Sequence, residues 1–411
     1  MKLHHCRSCG SPLHQVFIDL GASPLSNSYL RPEQLDEMEP FYPLTVRVCT
    51  TCWLAQLPVI VKPEHIFTEY AYFSSFSDSW LKHCEHYVKT VSTRFGIASS
   101  SRVIELASND GYLLQYFVKN GVPVLGVEPA ANVAQTALAK GIPTLVKFFG
   151  VETARSMVAS GLSADLLIGN NVFGHVPDLN DFIGGFKIVL KPKGVITLEF
   201  PHLEKLIDHN EFDTIYHEHF SYYSFIAAEA ALGRHHLKVF DVEELPTHGG
   251  SLRLYATHAD NADQTASPAV KALREREIKA GYQTLKPYTQ FARQVETTKQ
   301  NLLTFLIEAK RAGKKVVGYG APAKGNTLLN YCGIRTDFID YTVDKNPRKQ
   351  NTFLPGTRIP VFGVEKIAET KPDYLLILPW NIKNEVMEQM AGIRAWGGKF
   401  VVAIPDVQVT A

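Results

Sequence analysis

The chain has 411 residues, 45% hydrophobic and 20% charged, which is the make-up of a globular protein with two or three domains. Its 42 basic and 41 acidic residues leave a net charge of +1. That balance argues against a bulk nucleic-acid partner, which would call for a cationic face. No apolar run reaches the ~18 residues of a membrane span, and Met1-Lys2-Leu3-His4-His5-Cys6 has no apolar secretion signal. A cytoplasmic protein without nucleic-acid or membrane partners is expected, as a monomer or dimer.

Residues 1–75 are broken by Pro12, Pro24, Pro32, Pro40, Pro43, Pro58 and Pro63, so they read as loop-rich and in need of a staple other than a large core. Two Cys-x-x-Cys pairs, Cys6/Cys9 and Cys49/Cys52, offer one. Four thiolates close a tetrahedral zinc shell and leave no position for a substrate, so a structural zinc is expected. Four reduced, buried cysteines are the plainer alternative. The segment from Glu69 to Ser75, with Tyr70, is either a lid or an aromatic linker.

Residues 76–245 begin with a helix expected over Asp78–Phe95 and then alternate strand and helix. The apolar strands are Arg102–Ala107, Pro123–Val127, Ala164–Ile168 and Gly194–Phe200. Helices are expected over Gly111–Lys119 and Leu179–Leu190, with later strands at Leu237–Val242 and Gly250–Ala256. This alternation predicts an α/β fold with a parallel sheet. The first strand runs through Glu105 into the turn Ala107-Ser108-Asn109-Asp110-Gly111, where small residues let a ligand approach the backbone. The second ends at Glu128-Pro129, where an acid can accept both ribose hydroxyls, and a later one at Asn170-Asn171. Ala107 and the lack of a Gly-x-Gly-x-x-Gly run discourage a dinucleotide. Glu105, Glu128 and Asn170 at strand ends favour the adenosine site of a class I, Rossmann-like methyltransferase core.

Tyr216-His217-Glu218-His219 lies in the densest acid–base cluster of the chain. A histidine serves as base near neutral pH, a carboxylate can orient it, and a phenol can meet an oxyanion. A surface loop is the plain alternative. A His-Glu-His metal site is disfavoured because neighbouring side chains on a strand point apart. His175 either faces the pocket or caps a helix. His202 ends a strand, and His248 precedes Gly249-Gly250 at a turn or a ligand.

Residues 246–411 read as long helices from Ser267 to Ala312, then a second α/β alternation with strands at Lys315–Tyr319, Phe338–Val343, Tyr374–Leu378 and Lys399–Ala403. Its turn Gly318-Tyr319-Gly320-Ala321-Pro322-Ala323-Lys324-Gly325-Asn326 suits phosphate, with Lys324 and Asn326 at a helix start. Asp344 ends the next strand, within reach of a ribose or base. A vestigial nucleotide site is the alternative.

The paired Cys-x-x-Cys, the turn from Glu105 to Leu114, Tyr216–His219 and Gly318–Gly333 together resemble the sugar C-methyltransferases of deoxysugar biosynthesis, in order and over essentially the whole chain. The resemblance implies a zinc-binding N-terminal module, an S-adenosylmethionine-dependent core and a C-terminal α/β substrate domain. It implies methylation at carbon 3 of a nucleotide-linked, usually dTDP, 4-keto-6-deoxyhexose. His219, or else Glu218, would be the base. Tyr216, with Tyr70 or His175, would steady the oxyanion. Lys324, Asn326, Asp344, His202 and His248 would hold the nucleotide sugar. Ala107 departs from the family's usual glycine. Competing readings are a methyltransferase of another acceptor such as RNA, and an NAD-dependent nucleotide-sugar enzyme.

Overall fold

Short apolar runs flanked by glycine, proline and small polar residues become buried strands in the computed structural model, which describes residues 4–61, 73–76 and 78–411. The chain forms two compact units, each gathered from separate stretches. One comprises Met1–His14, Cys49–His202 and Phe220–Thr284; the other comprises Gln15–Val48, Leu203–His219 and Leu285–Ala411. Tyr70 lies outside the described residues. No helix among the described residues is long and apolar enough to cross a membrane.

The first unit holds a seven-stranded sheet among the described residues. Its strand order is Leu237–Leu245, Ser251–His258, Leu190–Pro201, Ala164–Asn170, Val103–Leu106, Val124–Val127 and Thr144–Leu145. The last five are parallel, and the first two close the sheet as an antiparallel hairpin. All of Val103–Leu106 is buried because helices cover both faces. Alternation along the pleat sorts the strands into two cores. Ile104, Leu106, Leu167, Ile196 and Leu198 join Ile183 and Phe186 of the helix Leu179–Val189. Val103, Leu166, Ile168 and Val195 join Tyr87 and Val91 of the helix Asp78–Phe95.

The helix expected from Gly111 starts only at Leu114, because Gly111 takes a left-handed φ of 76°. The long helical stretch breaks at Gly281, whose left-handed φ of 90° ends the helix Pro268–Ala280. A second helix, Lys286–Arg311, belongs to the other unit.

That second unit has its own sheet, in the order Thr352–Phe353, Pro360–Phe362, Thr342–Val343, Val316–Tyr319, Tyr374–Ile377, Lys399–Val402 and Gln408–Thr410. The strand expected at Phe338–Val343 shortens to its last two residues. The backbones of Phe338 and Ile339 instead bond to the Arg335 carbonyl in a turn. The proline-rich start also contains more order than its composition suggests. Gln15–Ser23 and Tyr42–Val48 pair antiparallel, with Phe17 stacked on Phe291 of the long helix at 5.1 Å. Pro43 is accommodated beside a register shift.

His202 sits inside the first unit at 1% exposure. Its Nε2 lies 2.7 Å from Glu277, which also accepts the backbone N–H groups of Phe225 at 2.6 Å and Ile226 at 2.9 Å. Glu277 therefore caps the start of the helix Phe225–Arg234 from within the core. Replacing it strands an imidazole and two backbone donors. Glu277→Ala is expected to cost about 3 kcal/mol, read as a lower urea midpoint at unchanged slope.

Candidate active site

The two cysteine pairs fold into matching turns. In each, a left-handed residue follows the second cysteine: Gly10 at φ 77° and Trp53 at φ 61°. Their N–H groups return to the carbonyls of Cys6 and Cys49, which points both thiols of each pair to one side. Cys6 and Cys52 Sγ are 3.5 Å apart, as are Cys9 and Cys49 Sγ, and all four sulfurs lie within 4.8 Å of one another. A tetrahedron with zinc–sulfur bonds of about 2.3 Å has edges close to this spacing, so the set fits zinc. Gln56 Nε2 donates to Cys6 Sγ at 3.2 Å and the Thr51 N–H to Cys49 Sγ at 3.4 Å, the kind of donors that steady thiolate charge.

At the carboxyl edge of the first sheet, the turn after Val103–Leu106 alternates in handedness. Ala107, Asn109 and Gly111 have φ of 53°, 48° and 76°. A Cβ on Gly111 would lie 2.3 Å from Ile142 Cδ1, so a larger residue would need that side chain to shift as well as holding a left-handed φ. Asn109 tolerates the conformation, whereas Ala107 holds it at a cost of roughly 1–2 kcal/mol. The Ala107 N–H bonds to the Val127 carbonyl at 2.8 Å, anchoring the turn to the neighbouring strand.

Glu128 accepts the backbone N–H groups of Asn109 at 3.0 Å and Ala130 at 2.8 Å, and burial pushes its carboxyl up. Pro129 follows it directly. Glu105 is completely buried, and burial pushes its carboxyl well above the usual range. Asn170 ends its strand buried, with neither amide atom bonded, and the Ser108 hydroxyl is buried and unbonded as well. Orphaned polar atoms beside a small-residue turn and an acid at the next strand end fit an adenosine ligand.

Asn171, at φ 53°, donates to His248 Nε2 at 3.2 Å. His248, Gly249 and Gly250 are left-handed in succession. The glycines take this conformation freely, but at Asn171 and His248 it is strained, and strain of this kind gathers at functional sites. Sequence reasoning missed the residues behind them. Trp80 stacks on His83 at 4.9 Å and lies 5.5 Å from the His248 ring. His83, Arg253 and Thr247 all bond to Glu199, at 3.0, 2.7 and 3.0 Å. Burial alone would push the Glu199 carboxyl up, but His83 and Arg253 outweigh it and hold it at about 2. These partners come from different elements, so no local motif announces them. His175 ends a short turn, Phe173–His175, beyond Asn171.

The second unit carries the other cluster. Tyr216 and His219 are half-buried with ring centroids 4.0 Å apart, while His217 and Glu218 are buried. His219 Nδ1 lies 2.7 Å from the Thr214 carbonyl. A carbonyl only accepts, so Nδ1 carries a proton. Glu218 accepts from Asn27 Nδ2 at 2.6 Å. His217 points elsewhere, to the Pro43 carbonyl at 3.2 Å, and burial pulls its pKa down. Asn27 belongs to the segment Ser26–Tyr29, whose Ser26 carbonyl accepts from Asn326 at 2.6 Å and whose Tyr29 hydroxyl donates to the Ala321 carbonyl at 2.5 Å. Nothing in the sequence flagged that segment.

Lys324 donates to Asn381 at 2.9 Å and lies 4.5 Å from the Trp380 ring centroid. The Trp380 indole in turn donates to Asp213 at 2.8 Å. Asp344 accepts the backbone N–H groups of Ala321 and Asn346, both at 2.8 Å, and so shapes the glycine-rich turn. The His202 side chain is taken by Glu277, while its N–H donates to the Gly250 carbonyl at 3.0 Å.

Three stretches match family models: residues 6–67 one described as "Putative zinc binding domain", 80–239 one described as a methyltransferase domain, and 246–405 one described as a C-methyltransferase C-terminal domain. The chain is 34% identical over 407 residues to the C-methyltransferase NovU of Streptomyces niveus, covering 99% of this chain and 97% of that protein. Among solved structures it is similar to PH0226 of Pyrococcus horikoshii OT3, at 16% identity over 47% of this chain and 97% of that one, with a TM-score of 0.37. It is also similar to the magnesium protoporphyrin IX methyltransferase ChlM of Synechocystis PCC 6803 with bound S-adenosylmethionine, at 14% identity, 44% and 82% coverage and a TM-score of 0.33.

Burial pushes the carboxyls of Asp213 and Glu211 up to about 7, against an opposing pull from the Lys324 charge. Each therefore binds its proton more tightly folded than unfolded. The stability this contributes is complete below about pH 4 and is lost as pH rises through 7. Asp213→Asn keeps an oxygen for Trp380 but cannot ionise. Relative to the parent it is expected to gain on the order of 3 kcal/mol between pH 4 and 8, measured by denaturant titration at each pH.

Proposed function

The chain belongs to the family of S-adenosylmethionine-dependent C-methyltransferases, and from that premise we propose that its acceptor is a nucleotide-linked 4-keto-6-deoxyhexose, a dTDP sugar, methylated at carbon 3. The observation that carries the chemistry is the bond from His219 Nδ1 to the Thr214 carbonyl at 2.7 Å, beside the Tyr216 ring. A carbon next to a ketone becomes nucleophilic only when its proton leaves. His219, its Nδ1 proton held by the Thr214 carbonyl, removes that proton through Nε2 as general base. Tyr216 donates to the enolate oxygen, with His175 as a second donor. Glu218, fixed by Asn27, orients the loop and favours the imidazolium once it forms.

S-adenosylmethionine, when bound, supplies an electrophilic methyl group on a sulfonium. The turn Ala107–Gly111 would hold it, with Glu128 and Pro129 at the ribose and Asn170 and Asn171 at its polar groups. Glu105 lies beneath. Lys324 and Asn326, at the start of the helix Ala323–Cys332, would bind the diphosphate, and Asp344 keeps lone pairs for a ribose hydroxyl. His248, on its strained loop, would contact the sugar. Membership of a family that transfers to carbon sets aside the nicotinamide reading and an oxygen or nitrogen acceptor on RNA.

We propose a structural zinc on Cys6, Cys9, Cys49 and Cys52, and a cytoplasmic setting in which those thiols stay reduced. Cys6→Ser is expected to lower bound zinc below one per chain and to reduce soluble yield, measured by atomic emission. Full activity in zinc-free protein would contradict this role.

The function is tested by incubation with S-adenosylmethionine and a panel of 4-keto nucleotide sugars. Product gaining one methylene unit by mass is expected, with NMR placing the branch at carbon 3 rather than carbon 5. No transfer to any member overturns the reading. His219→Asn is expected to lose roughly 10²-fold or more in turnover and to stop deuterium exchange at the acceptor carbon, with cofactor affinity kept.

A further inference from the structure

Arg7 stands between Cys6 and Cys9, yet its side chain leaves the knuckle. One end of its guanidinium donates to the carbonyls of Val176 at 3.3 Å and Pro177 at 3.2 Å; the other donates to the Leu57 carbonyl. Its charge lies 5.5 Å from the ring centroid of Phe220, the residue that follows His219 in the chain. Its own backbone is held as well. The Arg7 N–H donates to Gln56 Oε1 at 2.9 Å, and the other end of that amide reaches Cys6 Sγ. The Arg7 carbonyl accepts from Asn180 at 3.0 Å.

The segment so gripped is Phe173–Pro177, with His175 in its middle. On the near side of His175, Tyr223 takes the Phe173 carbonyl at 3.2 Å and the Phe220 N–H takes the Gly174 carbonyl at 2.7 Å. On the far side, Pro177 has no N–H to give, and Arg7 holds both carbonyls.

We infer that Arg7 is a positioning residue, which ties the loop bearing His175 to the four-cysteine module. The inference rests on the role given to His175 above. Its physical basis is the planar fork of arginine, which spans carbonyls from two segments at once. Lysine presents one compact charge and cannot hold that geometry. The cysteine module then does more than complete the fold, since its knuckle sets where an enolate donor stands.

The experiment compares Arg7→Lys, His175→Ala and the double variant in the full chain. Zinc content, S-adenosylmethionine affinity by calorimetry, kcat and acceptor KM are read for each. Arg7→Lys is expected to keep one zinc per chain and a cofactor Kd within twofold, while kcat falls tenfold or more. In the His175→Ala background it is expected to cost nothing further, because both changes remove the same placed group. If Arg7→Lys does not yield folded, zinc-loaded protein, Phe220→Leu takes its place in the same cycle, since it removes only the ring beside the guanidinium. A zinc-loaded variant with kcat within twofold of the parent, or a loss that multiplies fully with that of His175→Ala, overturns the inference. Parental turnover in His175→Ala itself would strike the His175 assignment instead and take the inference with it.

Discussion

A polar atom buried without a partner costs about 1–3 kcal/mol, so a folded chain pairs nearly all of them. At the carboxyl edge of the first sheet this chain leaves the Asn170 amide and the Ser108 hydroxyl buried and unbonded. It also holds Ala107 in a conformation that disfavours a Cβ. None of this benefits the isolated fold. All of it suits a ligand that brings its own donors and acceptors to the strand ends.

Other buried polar groups of the chain are satisfied. Glu277 has three donors and caps a helix from inside the core. Glu199 has His83, Arg253 and Thr247 around it and stays ionised despite burial. Such groups hold elements in place. Asp344, with a backbone N–H on each oxygen, does the same for the glycine-rich turn. Glu277 and Glu199 are complete, whereas the Asn170 amide and the Ser108 hydroxyl are left open.

The Tyr216–His219 segment divides its labour by direction. His217 turns to a backbone carbonyl in the interior, and Glu218 is held by Asn27. Tyr216 and His219 come together at the accessible side. The carbonyl of Thr214, a few residues upstream, takes the Nδ1 proton of His219, whereas His217 gives its Nε2 proton to the Pro43 carbonyl.

Local rules were enough for much of the chain. Hydrophobic periodicity placed the helix Asp78–Phe95 and the central parallel strands, because a strand buried on both faces must be apolar along its length. Spacing alone marked the four cysteines, because a Cys-x-x-Cys turn brings its own two thiols together. Where a turn competes with a strand, as at Phe338–Ile339, or where a hairpin hides among prolines, as at Gln15–Val48, local pattern was misleading. Asn27 beside Glu218, Glu199 beneath His83, and Arg7 on the Val176 and Pro177 carbonyls were settled only by tertiary structure. So was the interleaving of the chain into two units. Periodicity and turn chemistry act over a few residues. A buried side chain is completed by whichever distant segment the packing brings within hydrogen-bond reach, and no spacing in the sequence records that choice.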